Sequence, residues 1–305
     1  MNISVVIPTY NREKTIENTL RSVLRQTVMP MEVIVVDDCS TDSTIKIVKS
    51  IRKENKLVRL ICLKENQGAQ AARNCGIKVA KGDWIAFLDS DDDWLENKLE
   101  IQQEAVEKNP NYDVYYGDYY VKQNNRIHYK CCKMRGKDGV FTHDILFGSK
   151  VLFQGMLVRK EALEGIGYLD KNVPAYQEWD TNIRLSLRYK YYYINKPLFI
   201  YNIHEDETIS KDLRRGIRGF QYVVMNNRAL FLEGYGMKSI LFYCNGMYVR
   251  CKKCKELKQY YYLCMKNFLQ FISSNDFLED KFIGIAKKAW GRRWKIINNK
   301  KKYNF

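Results

Sequence analysis

The amino-acid sequence predicts an α/β protein with a mostly parallel sheet and helices on both of its faces. Short apolar runs recur through the first 110 residues, and continuous runs of this kind are typical of strands buried on both faces. Segments with apolar residues at helical spacing separate them, and such alternation indicates parallel strands. With 305 residues, of which 46% are hydrophobic and 28% charged, the chain is long enough to build a large core.

Four strands and four helices are predicted in this first part of the chain. The strands are 3–8, 32–37, 58–63 and 84–88. The helices follow them in turn: the first has Ile16, Leu20, Val23 and Leu24 on one face, the second has Ile45, Val48 and Ile51, the third covers 68–79, and the fourth begins near Leu95.

The pattern changes after residue 110. We expect tyrosine-rich β structure over 113–129, a loop over 131–139, a return to the sheet over 153–158, a helix over 179–189 and an extended segment over 191–203. From residue 211 the pattern is helical, rich in Lys and Tyr, and free of Pro. The sequence therefore predicts a sheet domain over 1–210 and a helical, basic region over 211–305.

The end of the chain is strongly basic. Eight basic residues and no acid lie between Lys287 and Lys302, with Trp290 and Trp294 among them, within a chain of net charge +16. Basic residues interleaved with tryptophan favour contact with an anionic membrane surface. Nucleic acid and a simple solvated tail are the alternative interpretations of this run.

Other features of the sequence bear on the compartment. No basic leader precedes the first predicted strand, and no apolar run approaches the roughly 18 residues that a membrane span needs. Nine cysteines without a framework suit a reducing environment. We therefore expect a cytoplasmic protein with peripheral contact at the inner face of the membrane.

The most informative segment is 84–94, an apolar strand that ends in the carboxylates Asp89, Asp91, Asp92 and Asp93. Such a cluster repels itself unless a cation lies on it, and hard divalent ions take oxygen ligands. Ligands bind outside the carboxyl ends of strands in open α/β sheets. We interpret the cluster as a metal and nucleotide site. The alternatives are helix capping by Asp92 or Asp93 and a calcium loop, which is disfavoured because Trp94 replaces its glycine.

Polar residues also follow the other strands. Thr9 and Tyr10 come at the end of the first strand, where an aromatic ring suits a nucleobase. Asp38 comes at the end of the second strand, where a carboxylate can accept a base N–H. Arg73 lies on the third helix, where it either reaches a phosphate or ribose group or is only an exposed helical side chain.

Four motifs in order resemble family 2 glycosyltransferases. They are Pro8-Thr-Tyr-Asn-Arg12, Val36-Asp-Asp-Cys-Ser-Thr-Asp42, Asn66-Gln-Gly-Ala-Gln-Ala-Ala-Arg-Asn74 and Phe87-Leu-Asp-Ser-Asp-Asp-Asp93. The resemblance covers roughly residues 1–205. It implies the GT-A fold, a bound Mn²⁺ or Mg²⁺ ion, and inverting transfer of a sugar from a nucleotide donor to an acceptor hydroxyl.

The resemblance also implies roles for particular residues. Pro8, Thr9, Tyr10 and Asp38 match nucleoside-binding positions, Arg73 a uridine or phosphate contact, Asp89 the ribose-side and metal-side acid, Asp91 the metal ligand, and His204 a residue near the metal or diphosphate. The catalytic base of the family falls at Glu178 or Asp180, because Gln177 departs from the usual pair of acids. Glu178 is the preferred base, and its alternative role is to cap a helix.

We expect an inverting glycosyltransferase that uses a nucleotide-sugar donor, with a UDP-sugar as the expected donor. The expected acceptor is a hydroxyl of a glycan or lipid-linked saccharide in cell-surface polysaccharide synthesis. A sugar nucleotidyltransferase is the alternative enzyme, but residues 8–14 lack the glycine-rich phosphate loop that it needs. A basic nucleic-acid-binding protein is the alternative outside enzymes.

Overall fold

The computed structural model describes residues 1–124, 126–134, 139, 142–203, 212–235, 242–243, 246–247 and 249–250. The chain divides into two compact units, Met1–Thr208 and Ile209–Phe305. The basic run from Lys287 to Lys302 lies outside the described residues, so the predicted helical, basic character of 211–305 stays a prediction.

The first unit holds the strands and seven of the described helices. The strands are β1 (Ile3–Thr9), β2 (Glu32–Asp37), β3 (Val58–Cys62), β4 (Trp84–Phe87), β5 (Asp93–Trp94), β6 (Val114–Gln123), β7 (Arg126–Lys130), β8 (Leu157–Arg159) and β9 (Tyr191–Ile203). The helices are α1 (Ile16–Leu24), α2 (Thr44–Glu54), α3 (Ala69–Val79), α4 (Lys98–Lys108), α5 (Thr142–Leu146), α6 (Lys160–Gly165) and α7 (Gln177–Ser186).

These strands form one sheet in the order β3-β2-β1-β4-β8-β6-β9-β5, with β7 paired to β6. The strands β3, β2, β1 and β4 are parallel, as the alternation of strand and helix predicts. Beyond β4 the sheet is mixed, because β8 runs antiparallel to β4 and to β6 while β9 runs parallel to β6. The predicted α/β fold is confirmed, but the sheet is mixed as a whole, and the predicted parallel arrangement holds for β1 to β4.

Side chains from the parallel strands alternate between the two faces of the sheet. Val5 and Val35 belong to the apolar core formed with α1 and α2. Val6 and Val36 point the other way, toward α3, where a Cβ on Gly76 would lie only 2.5 Å from Val6 Cγ1. The absence of a side chain at Gly76 therefore lets α3 pack closely on β1, and helices cover both faces as predicted.

Element boundaries in the mixed half differ from those predicted. Asp93–Trp94 pairs with β9 as the short strand β5, and α4 begins only at Lys98. The segment 153–158 contains a 3-10 turn at Phe153–Gly155 before β8. Short strands that pair only with distant segments leave no periodic pattern, and so the sequence did not indicate β5.

The second unit contains two described helices, α8 (Leu213–Asn226) and α9 (Arg228–Tyr235). Asp212 caps α8, because its carboxylate accepts a hydrogen bond of 2.9 Å from the backbone N–H of Arg215. Within the described part of the chain, no helix is both long and apolar enough to cross a membrane.

Candidate functional site

The carboxyl ends of the parallel strands β1, β2 and β4 meet at one edge of the sheet. Thr9 pairs with Asp37 in register at the ends of β1 and β2. Leu88, immediately after β4, donates its backbone N–H to Val6 O of β1. Polar residues that follow these three strands are therefore brought together, as the sequence predicts.

Asp89 is held at this edge by two side chains. Arg73, on α3, reaches Asp89 Oδ1 with its Nη2 at 2.5 Å, and Gln154 Nε2 donates to Asp89 Oδ2 at 2.8 Å. The Arg73 side chain is only 4% exposed and lies over the Phe153 ring. The alternative that Arg73 is merely an exposed helical residue is therefore wrong, because its guanidinium neutralises Asp89 inside the protein.

Asp92 lies behind the site rather than in it. The residue is 1% exposed, and its oxygens accept hydrogen bonds from the backbone N–H of Asn202 at 2.7 Å and from Gln154 Nε2 at 2.7 Å. Burial, followed by the charges of Asp91 and Asp89, raises the pKa of Asp92 well above its ordinary value. This carboxyl joins the turn after β4 to the end of β9.

Asp91 is partly exposed, as Asp89 is. Its side chain is 23% exposed, and Oδ2 lies 3.6 Å from Nε of Arg12. A divalent ion shared with a nucleotide diphosphate needs only one or two carboxylates from the protein, so Asp91 fits a metal ligand. Among the described residues no group of three or more His, Cys, Asp or Glu side chains is arranged to hold a metal, and His204 lies outside those residues.

The two alternative roles for the acid cluster find no support in the geometry. Helix α4 begins after Asn97, so neither Asp92 nor Asp93 caps it. Asp93 Oδ2 instead accepts a hydrogen bond of 2.8 Å from Asn202 Nδ2. The segment after β4 is tied to β9 and does not wrap around a common centre as a calcium loop does.

The predicted nucleoside side of the site lies at the ends of β1 and β2. Pro8 and Thr9 are buried within β1, whereas the ring of Tyr10 is 43% exposed just beyond it. Asp38 accepts hydrogen bonds of 2.8 and 2.7 Å from the backbone N–H groups of Gln67 and Gly68. Asp38 thus positions the entry to α3, while Tyr10 offers an open aromatic face.

Several buried polar atoms along this edge lack a partner. They are Thr9 Oγ1, Asp37 Oδ1, Arg73 Nε and Gln154 Oε1. Buried polar groups are nearly always hydrogen-bonded. Comparable atoms also occur elsewhere among the described residues, such as Thr181 Oγ1 and Arg184 Nη2, so these exceptions do not by themselves mark a functional site.

The two candidate bases differ in their surroundings. Glu178 is half-buried on α7, and loss of hydration raises the pKa of its carboxyl, while Arg73 opposes that shift and Asp89 adds to it. Asp180 is buried and its Oδ2 accepts a hydrogen bond of 2.9 Å from Arg184 Nε. Residues two apart point to nearly opposite sides of a helix, so Glu178 turns toward Arg73 and Asp180 turns away.

Helix α7 is positioned by the same arginine. Arg73 Nη1 donates to Gln177 Oε1 at 3.3 Å, which ties the first turn of α7 to α3. Asp180 lies on the other side of α7 and pairs with Arg184. Arg184 in turn donates to the carbonyls of Ile166 and Tyr168, which fixes the pair in place. Glu178 is therefore the acid of the two that adjoins the strand-end site.

Four residues at the site were not among the predicted functional residues: Arg12, Gln154, Tyr201 and Asn202. Tyr201 is half-buried, and burial together with Asp92, Asp89, Asp91 and Glu178 raises its pKa to about 12. Arg12 ends the motif Pro8-Thr-Tyr-Asn-Arg12 that spans the end of β1, so its position at the site could have been predicted from the sequence. Gln154 and Asn202 carry no local signal, because they reach the site through sheet pairing across long sequence separations.

Comparison with known proteins places the chain in a family. The sequence profile described as glycosyl transferase family 2 matches residues 4–164, more than half of the chain. WfaP of Escherichia coli, named as a UDP-Glc:alpha-D-GlcNAc-diphosphoundecaprenol beta-1,3-glucosyltransferase, is 41% identical over 124 residues, which are 40% of this chain and 47% of WfaP. Glycosyltransferase GlyG of Streptococcus pneumoniae is 40% identical over 119 residues, which are 39% of each chain. The chain therefore spans less than half the length of these two relatives.

Solved structures show the same architecture. The crystal structure of residues 1–349 of TarS from S. aureus, in complex with UDP-GlcNAc, superposes with a TM-score of 0.70 at 22% identity, over 89% of this chain and 81% of that one. The likeness confirms the predicted GT-A fold. With the profile match, the four motifs and the sheet in agreement, the chain belongs to glycosyl transferase family 2.

Proposed function

We propose that this protein is an inverting glycosyltransferase that moves a sugar from a UDP-sugar to a hydroxyl of a lipid-linked saccharide. The observation that carries the proposal is the meeting of Asp89, Arg73 and Glu178 at the carboxyl edge of the sheet, beside the partly exposed Asp91. This edge is where α/β sheets bind nucleotides. Neither a nucleotidyltransferase nor a nucleic-acid-binding protein is favoured by any contact at the site.

The donor binds along the ends of β1, β2 and β4. The exposed ring of Tyr10 stacks on the base, and Thr9 and Asp38 border the base from β1 and β2. Asp89 accepts a hydrogen bond from the ribose. Because Arg73 pairs with Asp89, the negative charge of that carboxylate is offset where the diphosphate would lie.

Asp91 would hold Mn²⁺ or Mg²⁺ together with oxygens of the donor diphosphate. When bound, such an ion neutralises the charge of the departing nucleoside diphosphate. Asp92 contributes no ligand to this site, because it is buried behind the turn, where it accepts hydrogen bonds from Asn202 and Gln154. His204 as a further ligand rests only on the family resemblance.

Glu178 acts as the general base. The acceptor hydroxyl attacks the anomeric carbon, its proton passes to the Glu178 carboxylate, and the bond between the anomeric carbon and the diphosphate breaks on the opposite face. A base becomes more effective as its pKa approaches the working pH, and loss of hydration raises the pKa of Glu178 in that direction. Asp180 instead stabilises α7 through its ion pair with Arg184 one turn along the helix.

The proposed acceptor and location follow from the relatives. WfaP is named for transfer to a GlcNAc-diphosphoundecaprenol, an acceptor carried on lipid. An enzyme with such an acceptor works at the inner face of the membrane during synthesis of a cell-surface polysaccharide. The basic run from Lys287 to Lys302 would hold it there by attraction to anionic lipids.

The test is nucleotide release from UDP-, GDP-, dTDP- and CMP-sugars with Mn²⁺, Mg²⁺ or a chelator, together with direct binding of each nucleotide. We expect metal-dependent binding of one nucleotide, lost in Asp91→Asn. The matched control is Asp83→Asn, the same change at the exposed amino end of β4. Binding that ignores both the metal and Asp91→Asn would overturn the assigned site.

A further inference from the structure

The second half of the sheet ends in a hairpin whose charges the proposed chemistry does not use. Strand β7 pairs with β6 in the register Tyr119 to Lys130, Val121 to His128 and Gln123 to Arg126. Every residue of β7 is exposed. Its basic residues Arg126, His128 and Lys130 alternate along the strand, so all three lie on one face of the hairpin.

That face continues across β6 to β9. Val121 pairs with Tyr201 on one side and with His128 on the other, so these three residues form one row on one face of the sheet. The stacked rings of Tyr119 and Phe199, whose centroids lie 4.9 Å apart, mark the same face one row away. Strands are spaced by about 4.8 Å, which puts His128 about 10 Å from Tyr201 across the sheet.

Tyr201 connects this face to the acid cluster. It lies between Ile200, which pairs with Asp93 of β5, and Asn202, whose backbone N–H donates to Asp92 Oδ1 at 2.7 Å. Burial and the charges of the acid cluster also raise the pKa of Tyr201 to about 12. This surface has carboxylates at one end and basic side chains about 10 Å away at the other. It is complementary to a ligand whose reacting end is neutral and whose other end is anionic.

Two of the basic side chains on this face also lack an acidic partner in the described part of the chain. Among the residues that the structure describes, Arg126 and Lys130 take part in no ion pair. The opposite face of the hairpin differs, because Tyr129 there packs on Tyr120 and donates its hydroxyl to the buried Asp118. One face therefore secures the hairpin and the other presents positive charge.

We infer that Arg126, His128 and Lys130 bind the diphosphate of the acceptor, and so select saccharides joined to lipid through a diphosphate. The inference rests on the proposed function. The span from Tyr201 to β7 accommodates one sugar between the attacking hydroxyl and the diphosphate, with the lipid chain leaving past the exposed edge of the hairpin.

The test uses the full-length protein and butyl diphosphate as the probe, with saturating UDP and Mg²⁺ to occupy the donor side. We expect the probe to bind, and its Kd to rise about tenfold in Arg126→Gln and in Lys130→Gln, the usual effect of losing one hydrogen bond to a charged group. The control is Lys122→Gln, which removes the same charge from the opposite face, where Lys122 pairs with Ile127. Its Kd should be unchanged.

Two further measurements keep the possible failures apart. UDP binding on the same samples tests the proposed function alone, since none of the three variants touches the donor residues. Absence of probe binding, or an equal loss in Lys122→Gln, would overturn the inference even where UDP binds. Reduced sedimentation of Lys130→Gln with phosphatidylglycerol vesicles, with unchanged binding of butyl diphosphate, would also overturn it and assign the face to a membrane surface.

Discussion

The parallel half of the sheet, formed by β1 to β4 within residues 1–92, and the mixed half, formed by β5 to β9 within residues 93–203, supply the proposed site by different means. In the parallel half, the side chains proposed to bind the donor follow within two residues of a strand end, as Tyr10, Asp38 and Asp89 do. In the mixed half the contributing side chains come from a 3-10 turn, a helix and the end of a long strand, as Gln154, Glu178 and Asn202 do. A ligand that contacts both halves is therefore bound by two sets of residues. One set is placed by the strand that precedes it in the sequence, and the other is placed by pairing between distant segments.

The electrostatics of the halves differ as well. The parallel half concentrates acids and pairs them, with Arg73 on Asp89 and Arg12 near Asp91. In the mixed half, the buried Asp118 accepts hydrogen bonds from three residues, whereas the basic side chains of β7 are exposed. This contrast suits a donor held through neutralised acids and an acceptor held through free positive charge.

The largest effect is expected from the base in the mixed half. Glu178→Gln removes the proton acceptor while keeping the size of the side chain, so kcat should fall by about 10² to 10⁴ with donor binding intact. Steady-state kinetics together with UDP binding measures both. The control is Asp180→Asn, which should cost about 2 kcal/mol in the free energy of unfolding and leave kcat nearly unchanged in the folded fraction. The reverse pattern would make Asp180 the base.

The next effect concerns how the mixed half is held together. Asp118→Asn removes the carboxylate that accepts hydrogen bonds from the hydroxyls of Tyr129 and Tyr193 and from the backbone N–H of Cys132. We expect a loss of about 2 to 3 kcal/mol in the free energy of unfolding, measured by urea denaturation. Tyr129→Phe, which removes one partner at the surface, should cost less than half as much. Equal losses would show that the network acts through Tyr129 alone.

A smaller effect is expected where the halves meet at Gln154, whose Nε2 bridges Asp89 and Asp92. Gln154→Leu should raise the KM for the donor about tenfold and lower kcat less, because it releases the ribose-side acid rather than the base. The comparison is Gln103→Leu, which makes the same change on the exposed part of α4. A fall in folded protein with an unchanged KM would mean that Gln154 only stabilises the fold.

The smallest effect is a pH dependence at Lys98, which is fully buried over the Trp94 ring and donates to Gln102. Burial lowers the pKa of Lys98 well below its ordinary value. Between the folded and unfolded pKa values the unfolded chain binds the extra proton, so stability should rise with pH, by at most about 1.4 kcal/mol per pH unit. Urea unfolding from pH 7 to 9.5 should show this slope in the wild type and a weaker one in Lys98→Met. Identical slopes would mean that Lys98 stays protonated in the fold.

The two halves also differ in how much of their structure the sequence predicts. All four parallel strands and the helices between them carry their periodicity locally, and their ends place Thr9, Asp38 and Asp89 at one edge. The strand β5 and the contacts of Gln154 and Asn202 depend on pairing partners about 60 to 110 residues away in sequence. No window of sequence contains that information, so these contacts could not be predicted.

Orientation was a second limit. The sequence predicts that the segment after β4 is acidic, but not that Asp92 turns inward while Asp91 stays partly exposed. That orientation depends on Gln154 and Asn202, which each donate a hydrogen bond to a different oxygen of Asp92. The sequence favours Glu178 over Asp180 as the base, and the positions of Arg73 and Arg184 around α7 supply the physical reason.

The close packing of α3 against β1 has a mechanical consequence. Arg73 lies one turn before Gly76, where even a methyl group would meet Val6. A side chain at that position would force Val6 or the helix to shift, and a shift of the helix would change the distance between the Arg73 guanidinium and Asp89 without altering a charged residue. The electrostatics of the proposed donor site are thus coupled to the spacing between helix and sheet, so a neutral substitution at Gly76 is expected to change nucleotide affinity.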